Sequence, residues 1–356
     1  MKENLVGISE IAEMADVTRQ AVSNWRLRYG DFPKPAQVLQ SGPVWHREIV
    51  EHWLKQKDGR APHVISFINL KGGVGKTTTA VAVAEILAKE YLKRVLLIDL
   101  DPQTNATINL IKEERWKKLD EEGRTLAQLF EDKINYQLPP KFNAEDSIVR
   151  QVSTIDGGIS FLDLLPSSIK LIEIQERLPF VALQGNYDRN PQDILKMALQ
   201  PVKDRYDFVV IDCPPSLGVV TKNGLKISTD YVIPTIPDIV STWGIFQIVD
   251  NVDKFATNLG SPIRPLGIVA TKVQGTMELH GRMIRDLEAG RLFEGKTTDL
   301  KQPSLFKNYI KQNVDTARGA DAEANLRTFK HKYGPTYESF RGLTQEILER
   351  CNVPKR

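Results

Sequence analysis

The β-branched run Val64–Asn69 passes through Leu70-Lys71-Gly72-Gly73-Val74-Gly75-Lys76-Thr77-Thr78 into the helical stretch Ala80–Glu90, and no other segment constrains the fold as tightly. A strand that turns through successive glycines into a helix start aims several backbone N–H groups, and the positive end of the helix dipole, at one point. Such a point holds phosphate. Gly72, Gly73, Val74, Gly75, Lys76, Thr77 and Thr78 are thus expected to wrap a nucleotide's phosphates, with Lys76 reaching the β- and γ-phosphates and the Thr77 hydroxyl facing Mg²⁺. A plain glycine turn gives no reason for Gly-Lys-Thr-Thr at a helix start. The usual pattern asks for glycine six residues before the lysine; Leu70 stands there instead, and a second lysine, Lys71, opens the loop.

Downstream, the runs Val95–Asp99, Ile159–Leu165, Phe208–Asp212, Tyr231–Thr235 and Leu266–Thr271 alternate with helix-like stretches, several of them apolar without a polar face. That is the texture of strands buried on both sides of a parallel sheet. The expected fold class is α/β, a doubly wound and mostly parallel sheet. Ligands in such folds bind beyond the carboxyl ends of the strands, and three carboxylates fall there: Asp99 and Asp101 ahead of Pro102-Gln103, and Asp212 ahead of Cys213-Pro214-Pro215. Cys213 reads as a small buried neighbour of the site rather than a nucleophile.

Lys71 ahead of the glycines resembles the deviant Walker A motif of the ParA/MinD ATPases, and Asp99-Leu100-Asp101-Pro102-Gln103 looks more like the ParA partition branch than the MinD branch. The Phe208–Ser216 segment is similar to that family's Walker B strand. The resemblance, which runs from residue 63 to about 345 and is thin between about 105 and 160, implies a Mg²⁺-dependent ATPase, slow and stimulated by a partner. It implies two subunits that sandwich two ATP molecules, with Lys71 crossing to the other subunit's nucleotide. Lys71, Lys76 and Asp101 are then the catalytic set, Asp101 orienting the attacking water. Thr77 and Asp212 would hold Mg²⁺, Asp212 through water, with Asp99 in support. Pro237 would lie near the nucleotide and Thr271 near its base. Nitrogenase-reductase and metal-chaperone relatives need cysteine pairs, whereas this chain has only Cys213 and Cys351.

The first sixty residues differ: they carry Trp25, Trp45 and Trp53, no long apolar strand, and a polar Lys57-Asp58-Gly59-Arg60-Ala61-Pro62 that reads as a linker. A chain of 356 residues, at about 150 per domain, accommodates two domains; they are expected over 1–60 and 61–356. Ser9 and Thr18 stand where helix N-caps belong. The second helix would turn Ala21, Val22 and Trp25 inward and leave Arg19, Gln20, Ser23, Asn24 and Arg26 outside, a face without an acid whose side-chain types read base edges or grip phosphates. The pattern resembles a winged helix-turn-helix of the MerR or excisionase sort, with Phe32–Pro35 and Gln37–Trp45 as wing and His46–Lys57 as closing helix. A three-helix protein-interaction bundle is the alternative.

Forty-eight Lys and Arg against forty-five Asp and Glu leave a net charge of +3, which excludes DNA binding by bulk charge, so any DNA contact must be local. Lys301, Lys307, Lys311, Arg318, Arg327, Lys330 and Lys332 outnumber the acids around them. Lys307 and Lys311, with Arg282 and Arg285 on one helix face, are the candidate non-specific DNA contacts. The mixed-charge run Leu110–Arg124 reads as a solvated helix face. The tail Tyr337–Arg356 spaces Phe340, Leu343, Ile347 and Leu348 as a helix docked on the core rather than on a membrane. No apolar run reaches the ~18 residues of a membrane span, and Met1-Lys2-Glu3-Asn4 does not open a secretory signal, so the expected place is the cytoplasm, on the nucleoid.

The expected function is a partition ATPase. It would dimerise on ATP, bind DNA and segregate plasmid or chromosomal DNA with a ParB-like partner, while its N-terminal domain represses its own operon. Two alternatives stay open: a nucleotide-switched transcription regulator that moves no cargo, and an ATPase that positions a protein cargo on the nucleoid.

Overall fold

The chain divides into two units, Met1–Ala61 and Pro62–Arg356, in a computed structural model that describes residues 5–15, 17–28, 32–39, 41–58, 62–135, 138–181, 190–293, 300, 302–313 and 326–353. In the first unit β1 (Leu5–Val6) leads to α1 (Ile8–Met14), α2 (Arg19–Arg28), the hairpin β2 (Gln37–Leu39) and β3 (Gly42–His46), and α3 (Arg47–Asp58). The strands pair antiparallel in the order β1-β3-β2. So short a segment buries little aliphatic area, and large rings make up the difference. Val22 and Trp25 turn inward, as their spacing predicts, against Ile11, Trp45, Val50 and Trp53. Phe32 meets both Trp45 and Trp53 edge to face. Ser9 is not the first N-cap: that position belongs to Gly7, whose N–H donates to Glu10 Oε2 at 3.0 Å, and Ser9 lies inside the first turn. Thr18 does precede α2 directly. Helix α3 continues through Lys57 and Asp58, which the polar composition assigns to the linker; residues 59–61 lie outside the described residues, as do the side chains of Ala21 and Asn24.

The second unit runs β4 (His63–Phe67), α4 (Lys76–Lys89), β5 (Val95–Asp99), α5 (Asn105–Ile111), α6 (Glu113–Glu121), α7 (Leu126–Ile134), α8 (Ala144–Ser147), β6 (Leu162–Leu165), α9 (Leu171–Val181), α10 (Ile194–Leu199), β7 (Phe208–Asp212), α11 (Val219–Ile227), β8 (Asp230–Thr235), α12 (Ile239–Leu259), β9 (Arg264–Ala270), α13 (Glu278–Glu288), α14 (Phe329–Tyr333) and α15 (Tyr337–Arg350). Its six strands form one parallel sheet in the order β6-β5-β7-β4-β8-β9. Each predicted strand is present, although β4 ends at Phe67 and releases Ile68 and Asn69 to the loop, and β6 starts at Leu162.

Because successive side chains of a strand face opposite ways, each strand feeds two cores. Ile65, Phe67, Val95, Leu97, Phe208 and Val210 face α4 and α15. Val64, Leu96, Ile98, Val209, Ile211 and Ile233 face α7, α9, α11 and α12. This is why these strands read as unbroken apolar runs. Phe340, Leu343, Ile347 and Leu348 of α15 are buried in the first of these cores, as the docked-helix reading expects. Within the charged run, Trp116 and Leu119 of α6 turn inward while Glu113, Glu114, Arg115, Lys117 and Lys118 stay exposed. Among the described residues no helix is long and apolar enough to cross a membrane.

The chain leaves β4 for β5 and β6 on one side, returns to β7, and then builds β8 and β9 on the other side. The reversal flanks β4, so a crevice opens at its carboxyl end, where the glycine loop begins.

Candidate active site

Loop 69–75 is held from the two strands on one side of β4, β8 and β9. Asn69 Nδ2 donates to Pro234 O (2.7 Å) and to Thr235 Oγ1 (3.0 Å) at the end of β8, while its Oδ1 accepts the Lys71 N–H (2.9 Å). Thr271, just past β9, donates its hydroxyl to Val74 O (2.7 Å). Gly73 and Gly75 have φ of +73° and +81°, left-handed backbone that favours glycine at both positions. The loop's shape is thus set by protein contacts alone, which is the preorganisation that a phosphate site requires.

Lys76 begins α4 and is almost wholly buried, with Nζ donating to Lys71 O at 2.9 Å. Burial draws its pKa below the usual lysine value, opposed by Asp212 and Asp101. A cleft of about 460 Å³ opens over it, lined by Gly72, Gly73, Gly75, Thr77, Thr78 and Asp101 and also by Pro215 and Lys272.

The three carboxylates differ in what already satisfies them. Asp99 is fully buried: Oδ1 accepts Asp101 N–H (3.1 Å), and Oδ2 accepts both the N–H (2.9 Å) and the hydroxyl (2.7 Å) of Thr107. Burial raises its pKa and the Thr107 bonds oppose the rise. Asp101 lines the cleft, its Oδ1 taken by Gln103 N–H (2.9 Å) and its carbonyl held by Ser167 Oγ (2.7 Å). Its pKa is raised by burial against the pull of the Gln103 N–H and Lys76. Asp212 is fully buried, and neither carboxylate oxygen has a hydrogen-bond partner. Burial, then Asp99, push its pKa well up; the Thr77 hydroxyl is near enough to oppose that shift. A buried carboxylate without a partner is costly. A divalent cation beside Thr77 would satisfy it, so the residues present fit Mg²⁺. Cys213 is buried, and its thiol pKa is pushed up to about 12 by burial, which suits an inert neighbour.

Lys71 has a different partner. Its Nζ lies 3.2 Å from Asp238 Oδ2 and 2.8 Å from Ser241 Oγ. Asp238 is the N-cap of α12, accepting Ser241 N–H at 2.7 Å. Pro237 is buried one residue earlier and is not among the residues that line the cleft. Sequence reading missed the roles of Asn69, Thr107, Ser167, Asp238 and Ser241. Only Asp238 had a local signal, an acid directly before a helical run.

Of the candidate DNA contacts, Arg19, Gln20 and Arg26 are exposed and Ser23 is half-buried, with the Arg26 guanidinium 5.2 Å from the centre of the Trp45 ring. Arg282 and Arg285 on α13 and Lys307 and Lys311 beyond it reach the surface. Lys332 does not belong to a basic surface: it is buried and its Nζ donates to Glu85 Oε1 at 2.8 Å. Lys301 and Arg318 lie outside the described residues.

A polyphosphate cradle at the reversal point of a parallel sheet, set against a buried lysine and an unsatisfied carboxylate, makes the second unit a P-loop nucleotide hydrolase. An AAA domain family (AAA_31) matches residues 62–264. The chain is 34% identical over 290 residues to an uncharacterized protein of Mycobacterium tuberculosis, covering 82% of this chain and 80% of that one. It is 32% identical over 253 residues to the sporulation initiation inhibitor protein Soj of Bacillus subtilis, covering 70% of this chain and 85% of Soj. The fold matches an ATP complex of a Cyanothece McdA variant with a TM-score of 0.62 at 19% identity, over 84% of this chain and 99% of that one. The chain belongs to this AAA domain family, as a ParA-like ATPase of the Soj kind.

Proposed function

We propose that the chain is a ParA-type partition ATPase that binds ATP with Mg²⁺, dimerises face to face across the bound nucleotides and then holds DNA. Lys71 carries the reading. Lys76 serves the phosphates of its own subunit, while the second lysine, at the start of the loop, is held away from them by Asp238 and Ser241 and is the one offered to a nucleotide brought by another copy. Next to that anchor α12 presents Ile239, Val240 and Trp243 at 55%, 73% and 76% exposure, an apolar surface that a dimer would cover.

In the proposed reaction the loop N–H groups and Lys76 bind and orient the β- and γ-phosphates. Thr77 and Asp212 hold the cation, and Asp99 keeps Asp101 in place through its backbone N–H. Asp101, with one oxygen fixed by Gln103, orients the attacking water. Bound Mg²⁺ supplies charge neutralisation on the phosphate oxygens. Lys71 from the second subunit completes the charge around the transferring group.

The N-terminal unit acts as a helix-turn-helix that reads a specific DNA site and represses the operon: α2 offers Arg19, Gln20, Ser23 and Arg26, and the β2–β3 hairpin serves as wing. Arg282, Arg285, Lys307 and Lys311 contribute non-specific DNA contacts that dimerisation doubles. A ParB-like partner stimulates hydrolysis and release, and the protein works in the cytoplasm on the nucleoid. Analytical ultracentrifugation with ATP and Mg²⁺ tests the two-subunit site. The wild type should dimerise, and Lys71→Ala should bind ATP yet stay monomeric; a Lys71→Ala dimer of unchanged affinity contradicts the reading.

A further inference from the structure

At the amino ends of the strands, opposite the nucleotide cleft, a second group of donors converges. His63 opens β4, Asp230 opens the adjacent β8, and Cys351 follows the last turn of α15. One ligand atom from each, an imidazole nitrogen, a carboxylate oxygen and Cys351 Sγ, all lie within 4.8 Å of one another. We propose that His63, Asp230 and Cys351 form a binding site for a borderline-soft divalent cation of the Zn²⁺ class.

The donor set decides the class. Nitrogen, sulfur and one carboxylate oxygen suit Zn²⁺ or Co²⁺, with a water in the fourth place, whereas Mg²⁺ and Ca²⁺ take all-oxygen shells. All three side chains stand on fixed backbone. His63 and Asp230 lie in the sheet ladder, and Cys351 N–H bonds Ile347 O at 2.9 Å. The His63 ring is braced by stacking on Phe208, with centroids 5.3 Å apart. Burial lowers the His63 pKa, which leaves a neutral ring with a lone pair to give.

Without metal the site is closed by a cation of the chain itself. Arg264 Nε donates to Asp230 Oδ1 at 2.6 Å, and Thr229 Oγ1 to Oδ2 at 2.8 Å. Burial holds the Cys351 thiol protonated, with its pKa pushed up to about 12. Asp230 is buried at 3% side-chain exposure, but Arg264 is 52% exposed and can swing into water. Metal binding would then exchange one pairing for another. The Cys351 S–H proton leaves to solvent, thiolate and carboxylate neutralise the dication, and the guanidinium is rehydrated. The bound ion would tie the end of α15 to the strand that leads into the phosphate loop.

Co²⁺ titrated into the reduced, metal-free, nucleotide-free full chain tests this. A thiolate-to-Co²⁺ charge-transfer band should appear, persist in excess Mg²⁺ and vanish on adding Zn²⁺; Co²⁺ at the phosphate loop, held by oxygens, gives no such band. Cys351→Ser and His63→Ala should each abolish it. No band in the wild type, or a band that survives Cys351→Ser and so arises from Cys213, overturns the proposal. Arg264→Ala supplies a readout that misfolding does not mimic, because removing the competing cation should tighten Co²⁺ binding by about tenfold. Unchanged or weaker binding in Arg264→Ala overturns the proposal too.

Discussion

Lys71 Nζ and Asp238 Oδ2 stand 3.2 Å apart within one subunit, although Lys71 belongs to the phosphate loop and Asp238 to the start of α12. Asp238 thereby does two jobs, capping the helix through Oδ1 and holding the lysine through Oδ2. Burial alone would raise its pKa, but the Ser241 N–H and the Lys71 ammonium more than offset this and hold it below the usual carboxylate range. A depressed carboxylate pKa means the interaction is fully present at neutral pH and is lost as pH falls through that lowered value. In the proposed dimer, Lys71 has to leave this partner before it reaches the other subunit's nucleotide.

Asp238→Asn keeps a good helix cap and removes the charge that restrains Lys71. Dimerisation with a non-hydrolysable ATP analogue should therefore occur at lower protein concentration, by up to about tenfold. Sedimentation velocity reads this directly, and an unchanged or weaker dimer would mean that Asp238 does not restrain the lysine.

Asp212→Asn should separate stability from function. Removing an unpartnered buried carboxyl group stabilises the nucleotide-free protein by about 1–3 kcal/mol, seen as a higher melting temperature, while Mg²⁺-dependent hydrolysis is lost. The pH dependence has a definite sign. Asp212 has a folded pKa above its unfolded value, so the folded state binds more protons and stability falls as pH rises above the ordinary carboxylate range. Melting curves of Asp212→Asn across that range should be flatter than those of the wild type.

Glu85 and Lys332 make a buried ion pair, at 0% and 1% side-chain exposure, that ties α14 to the phosphate-loop helix. Tyr333 and Ser153 hydroxyls also donate to Glu85, each at 2.6 Å. Lys332→Met leaves a buried charge uncompensated and should cost about 3–5 kcal/mol. Adding Glu85→Gln should recover part of that loss, and urea denaturation of the single and double variants measures both.

The phosphate loop was legible because its information is local: glycines, lysine and threonine follow one another on a strand-to-helix turn. The sheet was legible because two-faced burial leaves unbroken apolar runs. What the sequence concealed lies across the fold. Asn69 reaches Pro234 from 165 residues away, and only the pairing of β4 with β8 brings them together. Lys332 sits among other lysines and so reads as surface, yet Glu85 in the otherwise apolar stretch Ala80–Ala88 was a sign that a cation had to come from elsewhere. Ser9 lost the cap because Glu10 reaches back to the Gly7 N–H.

The two proposed DNA surfaces should separate by mutation. Replacing Arg282, Arg285, Lys307 and Lys311 with alanine should weaken ATP-dependent binding to any duplex and lower the slope of log K against log salt by about 0.9 per lost phosphate contact. Arg19→Ala with Arg26→Ala should leave that slope unchanged and erase a footprint on the operator. Salt titrations on random and operator DNA distinguish the two.

Single-turnover hydrolysis by Asp101→Ala, followed together with its oligomeric state on DNA, tests the role of Asp101 in the proposed ATPase cycle. ATP should still bind, the dimer should accumulate on DNA, and hydrolysis should fall by about 10²-fold or more. Hydrolysis by Asp101→Ala at the wild-type rate would contradict that role.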